Sequence, residues 1–257
     1  MRLTGFEGNL AIVTGAAGGI GQAITRALLD AGATVIGTDI AAAVAASPLP
    51  DGALAQELDV RDSAAVEAMI QEAEAAYGPL KLGIHTAGIL SIGPLLDLPL
   101  TEWERVIGTN TTGTFNVTRA FGRAMAQHGG GAIVAVSSNA AGVPRLNMGA
   151  YAASKAAATM LIRCLGLELA DKGVRCNIVA PGSTLTAMQT GMWTDKDGSG
   201  EQAVIQGSLE SFRTGIPLKK LATPEDIAGA VMYLLSDQAG HVTMTDLYVD
   251  GGATLRA

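Results

Sequence analysis

In the run GAYAASKAA, Gly149 to Ala157, a tyrosine and a lysine stand four residues apart among alanines. Alanine is the strongest helix former, so the run reads as a helix with Tyr151 and Lys155 on one face. A free phenol ionises near pH ~10 and is a poor base in neutral water. A neighbouring ammonium favours its charged form, so the two side chains together make a base able to take a hydroxyl proton. That spacing alone is a weak motif. A second run, TGAAGGIG from Thr14 to Gly21, lies where a first apolar run passes into a helical pattern. Glycines there allow a tight turn and close backbone approach, and the helix N-terminus offers N–H groups to a pyrophosphate. Asp39 ends the next apolar run, where a carboxylate accepts hydrogen bonds from both hydroxyls of a ribose and repels a 2′-phosphate. Ala16, Ala17 and Ile40 offer no cation to such a phosphate, so NAD is expected over NADP.

The elements that must position these groups alternate along the chain. NLAIVT, TVIGTD, ALAQELDV, LGIHTAG, AIVAVSS, VRCNIVAPG and DLYVDGG read as seven buried strands. Helical patterns separate them, among them DSAAVEAMIQEAEAAYG, one long helix from Thr101 to Gln127, the Tyr151 helix from Ala150 to Ala170, and TPEDIAGAVMYLLS entered through Thr223-Pro224. Such alternation predicts an α/β fold: one Rossmann-type, doubly wound, seven-stranded parallel sheet with helices on both faces. No linker divides the chain, so a single domain over residues 1–257 is expected, with a cofactor half over about 1–130 and a catalytic and substrate half over about 131–257. The rhythm breaks at 183–217, polar and Gly-rich with Trp193 inside it, which is expected to fold as a lid over the carboxyl ends of the last strands.

Composition excludes several other classes. With 48% hydrophobic residues the chain can bury a sizeable core. A net charge of −7 without a Lys/Arg run argues against nucleic acid as a partner. No stretch reaches membrane-spanning length, and the apolar run before Thr14 is too short for a signal peptide. Cys164 and Cys176 form no close metal or redox spacing, so no metal is expected, and a reducing cytoplasm is the expected location.

Taken together, TGAAGGIG, Asp59-Val60, Asn110, Ser138, YAASK and PGSTLT resemble, in order and spacing, the short-chain dehydrogenases/reductases. The resemblance covers about residues 5–254. It implies a catalytic set of Asn110, Ser138, Tyr151 and Lys155. Tyr151 is then the proton acceptor, and Ser138 hydrogen-bonds the same substrate oxygen. Lys155 holds the nicotinamide ribose, and Asn110 supports a water link from Lys155 to solvent. For the cofactor it implies contacts from Gly15, Gly19, Ile20 and Gly21 at the diphosphate, Asp39 at the ribose, and Asp59 and Val60 at the adenine. Ala87, Gly88, Tyr151, Lys155, Pro181, Gly182, Thr184 and Thr186 follow toward the nicotinamide. Ser137 is an alternative hydroxyl, although the family spacing to the tyrosine selects Ser138. One departure stands out: His85-Thr86-Ala87-Gly88 occupies the place of the family's Asn-Asn-Ala-Gly turn, which leaves the bonding between neighbouring strand ends open. The family mostly forms tetramers, so a homotetramer is expected.

Within the family, AAGVPRLNMGAYAASKAA, VRCNIVAPGSTLTAMQTGMW and GIPLKKLATPEDIA are similar to enzymes that oxidise carboxylated cyclohexadiene alcohols to aromatic rings. The partner so implied is a small, acidic, ring-shaped substrate, either a 2,3-diol or its 2-amino counterpart. Arg145, six residues before Tyr151, is the candidate carboxylate anchor, since a guanidinium holds a carboxylate through two parallel hydrogen bonds. Met148, Met188, Gln189 and Trp193 are the candidate pocket and lid residues. More distant readings are a 3-oxoacyl carrier protein reductase, which Asp39 and the acidic charge oppose, and a non-catalytic NAD-binding regulator, which would be expected to lack Tyr151 or Lys155.

Overall fold

The computed structural model describes residues 2–193 and 199–255; positions 1, 194–198, 256 and 257 lie outside the described residues, so part of the expected lid does too. Seven strands are present: β1 Leu10–Thr14, β2 Thr34–Asp39, β3 Leu54–Glu57, β4 Leu80–His85, β5 Gly131–Val136, β6 Val174–Pro181 and β7 Asp246–Val249. They form one sheet in the order β3-β2-β1-β4-β5-β6-β7, every pair parallel. The helices are α1 Gly19–Asp30, α2 Ala41–Ala46, α3 Ser63–Tyr77, α4 Leu100–Ile107, α5 Gly113–Gln127, α6 Gly149–Leu169, α7 Ala187–Thr190, α8 Ser199–Gln206 and α9 Pro224–Leu235.

Successive strand residues point to opposite faces, and here both faces are apolar. Ala11, Val13, Val35, Ile84 and Val134 pack on one side with Ile24 and Leu28 of α1 and Ile227 and Val231 of α9. Leu10, Ile12, Ile36, Ile133 and Ile178 pack on the other with Met69 of α3, Phe121 of α5 and Ile162 of α6. Burial on both faces is why the central strands read as unbroken apolar runs. Of the seven strands expected to be buried, β3 at one edge is mostly exposed and β7 at the other is half-buried, since an edge strand has a neighbour on one side only. The strand order reverses between β1 and β4, and crossovers leaving in opposite directions open a crevice beyond their carboxyl ends. TGAAGGIG emerges on one side of that crevice and His85 to Gly88 on the other.

Helix ends follow their chemistry. Asp62 caps α3 through Ala64 N and Ala65 N, both at 3.0 Å. Thr223 and Asp226 close a reciprocal capping box on α9, with Pro224 in its first turn. The Arg175 guanidinium, on β6, donates to the carbonyls of Leu234, Leu235 and Ser236, which ties the end of α9 to the sheet.

Three elements differ from expectation. The segment Thr101 to Gln127 is not one regular helix: a π-helical turn over Gly108–Thr112 separates α4 from α5. The buried Asn110 side chain bonds to the Ile89 main chain at both N and O, and the widened turn accommodates that anchorage. The third strand stops at Glu57, so Asp59-Val60 lies beyond it. The Ala-rich stretch after Asp39 forms the short α2, in keeping with alanine's propensity. Within 183–217 lie α7 and α8, and Ile205 and Ile216 of this segment form a small core with Leu221 just beyond it. Among the described residues no helix is long and apolar enough to cross a membrane.

Candidate active site

The turn after β1 is shaped so that only glycine fits. Gly15 has φ +70°, and a Cβ there would lie 2.5 Å from Ala87 N. A Cβ on Gly21 would lie 2.1 Å from the Gly15 carbonyl oxygen, a backbone atom that cannot yield. At Gly19 a Cβ would meet the Thr186 methyl at 3.1 Å, so the turn after β6 faces the start of α1. No side chain caps α1, whose N-cap is Gly18, and its positive end stays available to an anion. A dinucleotide diphosphate fits this cradle. Gly21→Ala is expected to weaken cofactor binding by about thirtyfold and to lower thermal stability, since strain of this kind costs on the order of 2 kcal/mol; unchanged cofactor affinity by calorimetry would contradict that assignment.

Asp39 closes β2 and aims back at the same turn: its Oδ2 accepts from Ala17 N at 3.1 Å and its Oδ1 from Ile40 N at 2.9 Å. Asp59 is less free. Arg61 donates to both its oxygens at 3.0 Å, and that hydrogen bond holds the carboxyl below its ordinary pKa. Val60 turns its side chain into the core against Gly113, and its carbonyl accepts from Asn116 Nδ2 at 3.0 Å.

On α6, Tyr151 and Lys155 are both buried, with Lys155 Nζ 5.9 Å from the centre of the tyrosine ring. Lys155 Nζ donates to the Val136 carbonyl at 3.1 Å. Burial lowers its pKa to about 8. Tyr151 departs from expectation: burial raises its pKa, and a hydrogen bond with Ser138 only partly offsets this. In the cofactor-free protein burial and Ser138 set the shift of the phenol, while the Lys155 ammonium is held at the end of β5. The two candidate serines are told apart by their partners. Ser137 Oγ shares a 2.7 Å bond with Thr159 Oγ1, while Ser138 Oγ accepts from Ala140 N and bonds the tyrosine.

Asn110 sits against this pair. Its Nδ2 donates to Ser154 Oγ at 2.9 Å, and Ser154 Oγ donates to the Tyr151 carbonyl at 2.7 Å. A Cβ on Gly88 would lie 3.2 Å from Lys155 Nζ and 3.3 Å from Asn110 Oδ1, so a side chain there would crowd both. The His85-Thr86 departure leaves the strand ends well bonded. His85 bridges Thr14 Oγ1 at 2.8 Å and Thr114 Oγ1 at 3.0 Å, and Thr86 Oγ1 donates to the Thr14 carbonyl at 2.7 Å. Burial, then the charge of Lys155, lower the His85 pKa to about 3 and keep the ring neutral.

These elements enclose one cavity. Gly88, Ser138, Tyr151 and Lys155 line it together with Ile20, Pro181, Gly182, Thr184 and Thr186. The candidate substrate residues Arg145, Met148, Met188 and Gln189 line it as well. Gly15, Gly19, Gly21, Asp39, Asp59, Val60 and Ala87 lie outside its lining, as does Asn110. Trp193 also lies outside the lining and packs on the Ile205, Ile216 and Leu221 core, with its indole N–H buried and without a hydrogen-bond partner among the described residues. Sequence reasoning missed Arg213, which lines the cavity from the same segment. An isolated basic residue in an irregular stretch carries no periodic or spacing signal.

The cavity therefore brings a phenol, a hydroxyl and an ammonium to one surface, beside a glycine turn suited to a diphosphate. A family profile described as enoyl-(acyl carrier protein) reductase matches residues 15–254. A 2,3-dihydro-2,3-dihydroxybenzoate dehydrogenase of Bacillus subtilis (strain 168) is 49% identical, over 99% of each chain. The enzyme of the same name from Escherichia coli (strain K12) is 42% identical, over 98% of this chain and 99% of its own. The ligand-free structure of the aldohexose dehydrogenase of Thermoplasma acidophilum superposes with a TM-score of 0.88 at 28% identity, covering 100% of this chain and 98% of that one. Site geometry, strand order and full-length similarity converge: the chain belongs to the short-chain dehydrogenase/reductase family.

Proposed function

We propose that this chain is an NAD-dependent dehydrogenase that oxidises 2,3-dihydro-2,3-dihydroxybenzoate to 2,3-dihydroxybenzoate. The observation that carries the reading is the joint lining of one cavity by Ser138, Tyr151 and Lys155, which handle a hydroxyl, and by Arg145, which suits a carboxylate. Two relatives named for this reaction, alike along nearly their whole length, support it. In the cradle described above, Gly15, Gly19, Ile20 and Gly21 hold the diphosphate, Asp39 the adenosine ribose, and Asp59 and Val60 flank the adenine. Ala87, Gly88, Pro181, Gly182, Thr184 and Thr186 meet the nicotinamide end. Bound there, the oxidised nicotinamide supplies the hydride acceptor and a positive charge.

The protein's own groups do the rest. Arg145 fixes the ring by its carboxylate, with Met148, Met188 and Gln189 shaping the pocket and Trp193 supporting the lid from behind. Ser138 donates to the oxygen at the reacting carbon, and Tyr151 takes the hydroxyl proton. Lys155 holds the ribose and favours the phenolate once the site is charged, and Asn110 supports the water link along which the proton leaves. Loss of the carbinol hydrogen as hydride leaves a ketone that tautomerises to an aromatic ring, which makes the oxidation strongly downhill. Binding interactions are therefore free to serve orientation. Incubation with the diol should produce NADH and 2,3-dihydroxybenzoate in equal amounts, and NADH without the aromatic acid would overturn the assignment. The 2-amino counterpart, dihydro-3-hydroxyanthranilate, satisfies the same contacts and is the second reading.

For cofactor choice, Asp39 beside Ala17 N predicts a kcat/KM for NAD about a hundredfold above that for NADP, on the order of 2.7 kcal/mol. Asp39→Asn should narrow the gap, and equal use of the two cofactors by the wild type would sink the Asp39 assignment. We also propose a homotetramer in the cytoplasm. Phe115 of α5 and Met160 and Leu167 of α6 expose apolar side chains suited to a subunit contact, and the exposed, unpaired Cys164 suits a reducing compartment.

A further inference from the structure

Three cations, Arg145, Lys155 and Arg213, line the cavity, and no aspartate or glutamate does, although the chain carries a net charge of −7. Lys155 is engaged at the end of β5. The two guanidiniums are not similarly engaged. Among the described residues neither has a carboxylate within ion-pair distance. The acid whose charge reaches Arg145 is Asp250, and its oxygens already accept from Gly252 N, Thr254 N and Thr254 Oγ1 at 2.7 to 3.1 Å. Among the described residues the Arg213 guanidinium bonds a soft acceptor, donating from Nη2 to Met148 Sδ at 3.5 Å. A guanidinium with a structural task is bonded differently, as Arg175 is to the carbonyls that end α9.

The two arginines come from separate parts of the fold. Arg145 lies on the loop that leads into α6, three residues before Met148, whose N–H bonds back to the Arg145 carbonyl. Arg213 closes a tight turn after α8, paired antiparallel with Ser208 through bonds of 3.0 and 2.9 Å. A Cβ on Gly207 or Gly215 would clash with the facing backbone at 2.3 to 2.5 Å, so the turn is closely packed at its base. Both side chains are half-buried. Burial, then the charge of Arg213, pull the Arg145 pKa below the ordinary arginine value, so the charge of Arg213 reaches Arg145. Two like charges held near one another in a partly dry cavity form a receptor for an anion, because a bound carboxylate offers each a charge-assisted hydrogen bond and removes their repulsion.

We propose that Arg213 is a specificity-determining residue, which grips the substrate carboxylate together with Arg145 and thereby ties the lid turn at 207–215 to the loop that enters the catalytic helix. The proposal rests on the reading of the substrate as a ring acid and assigns a residue to its recognition. Selection for the acid then comes from two sides: a neutral ring alcohol leaves both guanidiniums unpaired, while a carboxylate joins them.

The test uses the full chain saturated with NADH and two probes of one shape, benzoate and the uncharged benzamide, with binding followed by calorimetry. Arg213→Gln should weaken benzoate by about tenfold or more and leave benzamide within about twofold, with Arg213→Lys in between. Arg145→Gln should act similarly, and the double variant should lose less than the product of the single losses, because each arginine acts through the same carboxylate. Benzamide binding and an unchanged melting temperature report that the variants are folded. With the diol as substrate, the loss should fall on KM rather than on kcat. Benzoate affinity unchanged in Arg213→Gln, parallel loss of benzamide, or absence of benzoate binding to the wild type would each overturn the proposal. Failure of the wild type to oxidise the diol, with benzoate binding still dependent on Arg213, would sink the reaction proposed above and leave the arginine pair standing.

Discussion

Replacing Tyr151 by Phe is expected to lower kcat by about a thousandfold or more while NAD affinity stays within about threefold. The ring packs as before, since phenylalanine keeps the volume of the buried side chain, and only the hydroxyl that bonds Ser138 is removed. What is lost is the group that receives the proton. Burial raises the pKa of Tyr151 in the cofactor-free protein, so the phenolate must be drawn out by positive charge arriving in the site. The oxidation rate of the wild type should therefore climb with pH, as the tyrosine loses its proton, and the residual rate of Tyr151→Phe should lack that climb. A variant retaining a tenth of the activity and the same pH profile would remove Tyr151 from the role of base.

Lys155→Met should abolish useful turnover and yet stabilise the cofactor-free protein at neutral pH. The ammonium is buried, and its pKa falls from 10.5 to about 8. A depressed lysine pKa means that the unfolded chain binds the extra proton between those two values. The cost to stability is therefore fully present below pH 8 and fades as pH rises toward 10.5. The difference corresponds to about 3 kcal/mol, from which loss of the Nζ bond to the Val136 carbonyl subtracts about 1 kcal/mol. Melting curves of the cofactor-free proteins at about pH 6.5 and about pH 9.5 should show an advantage for the variant that shrinks at the higher pH. An equal shift at both values, or a less stable variant at the lower one, would refute the buried-charge explanation. Retention of a costly lysine at this position is what a functional site would require.

The sheet was legible because its central strands are buried on both faces and so stand out as short apolar runs between amphipathic stretches, although the edge strands β3 and β7 are not fully buried. Helical spacing put Tyr151 and Lys155 on one face, and the accompanying motifs of the family, not that spacing alone, made the pair legible. Ser138 could be chosen over Ser137 only by family spacing; in three dimensions the reason is physical, since Thr159, on the neighbouring helix, engages the Ser137 hydroxyl. The π-helical turn at Asn110 was invisible because it answers a contact with Ile89, 21 residues away, and not a local preference. His85 and Thr86 looked like a loss of strand-end bonding, yet partners at Thr14 and Thr114 on other elements restore it. Arg213 escaped for the same reason as the turn: its meaning comes from the cavity it enters, which is assembled from distant segments. Tertiary contact, which no local pattern encodes, separates what was read from what was missed.

The most direct measurement is the rate of NAD reduction with 2,3-dihydro-2,3-dihydroxybenzoate and with its 2-amino counterpart offered separately under the same conditions. A kcat/KM for the diol at least about tenfold above that for the amine, with 2,3-dihydroxybenzoate as product, is the expected result. Preference for the amine would move the chain to hydroxyanthranilate chemistry, and turnover of neither would contradict the assignment of a carboxylated cyclohexadiene alcohol to this cavity.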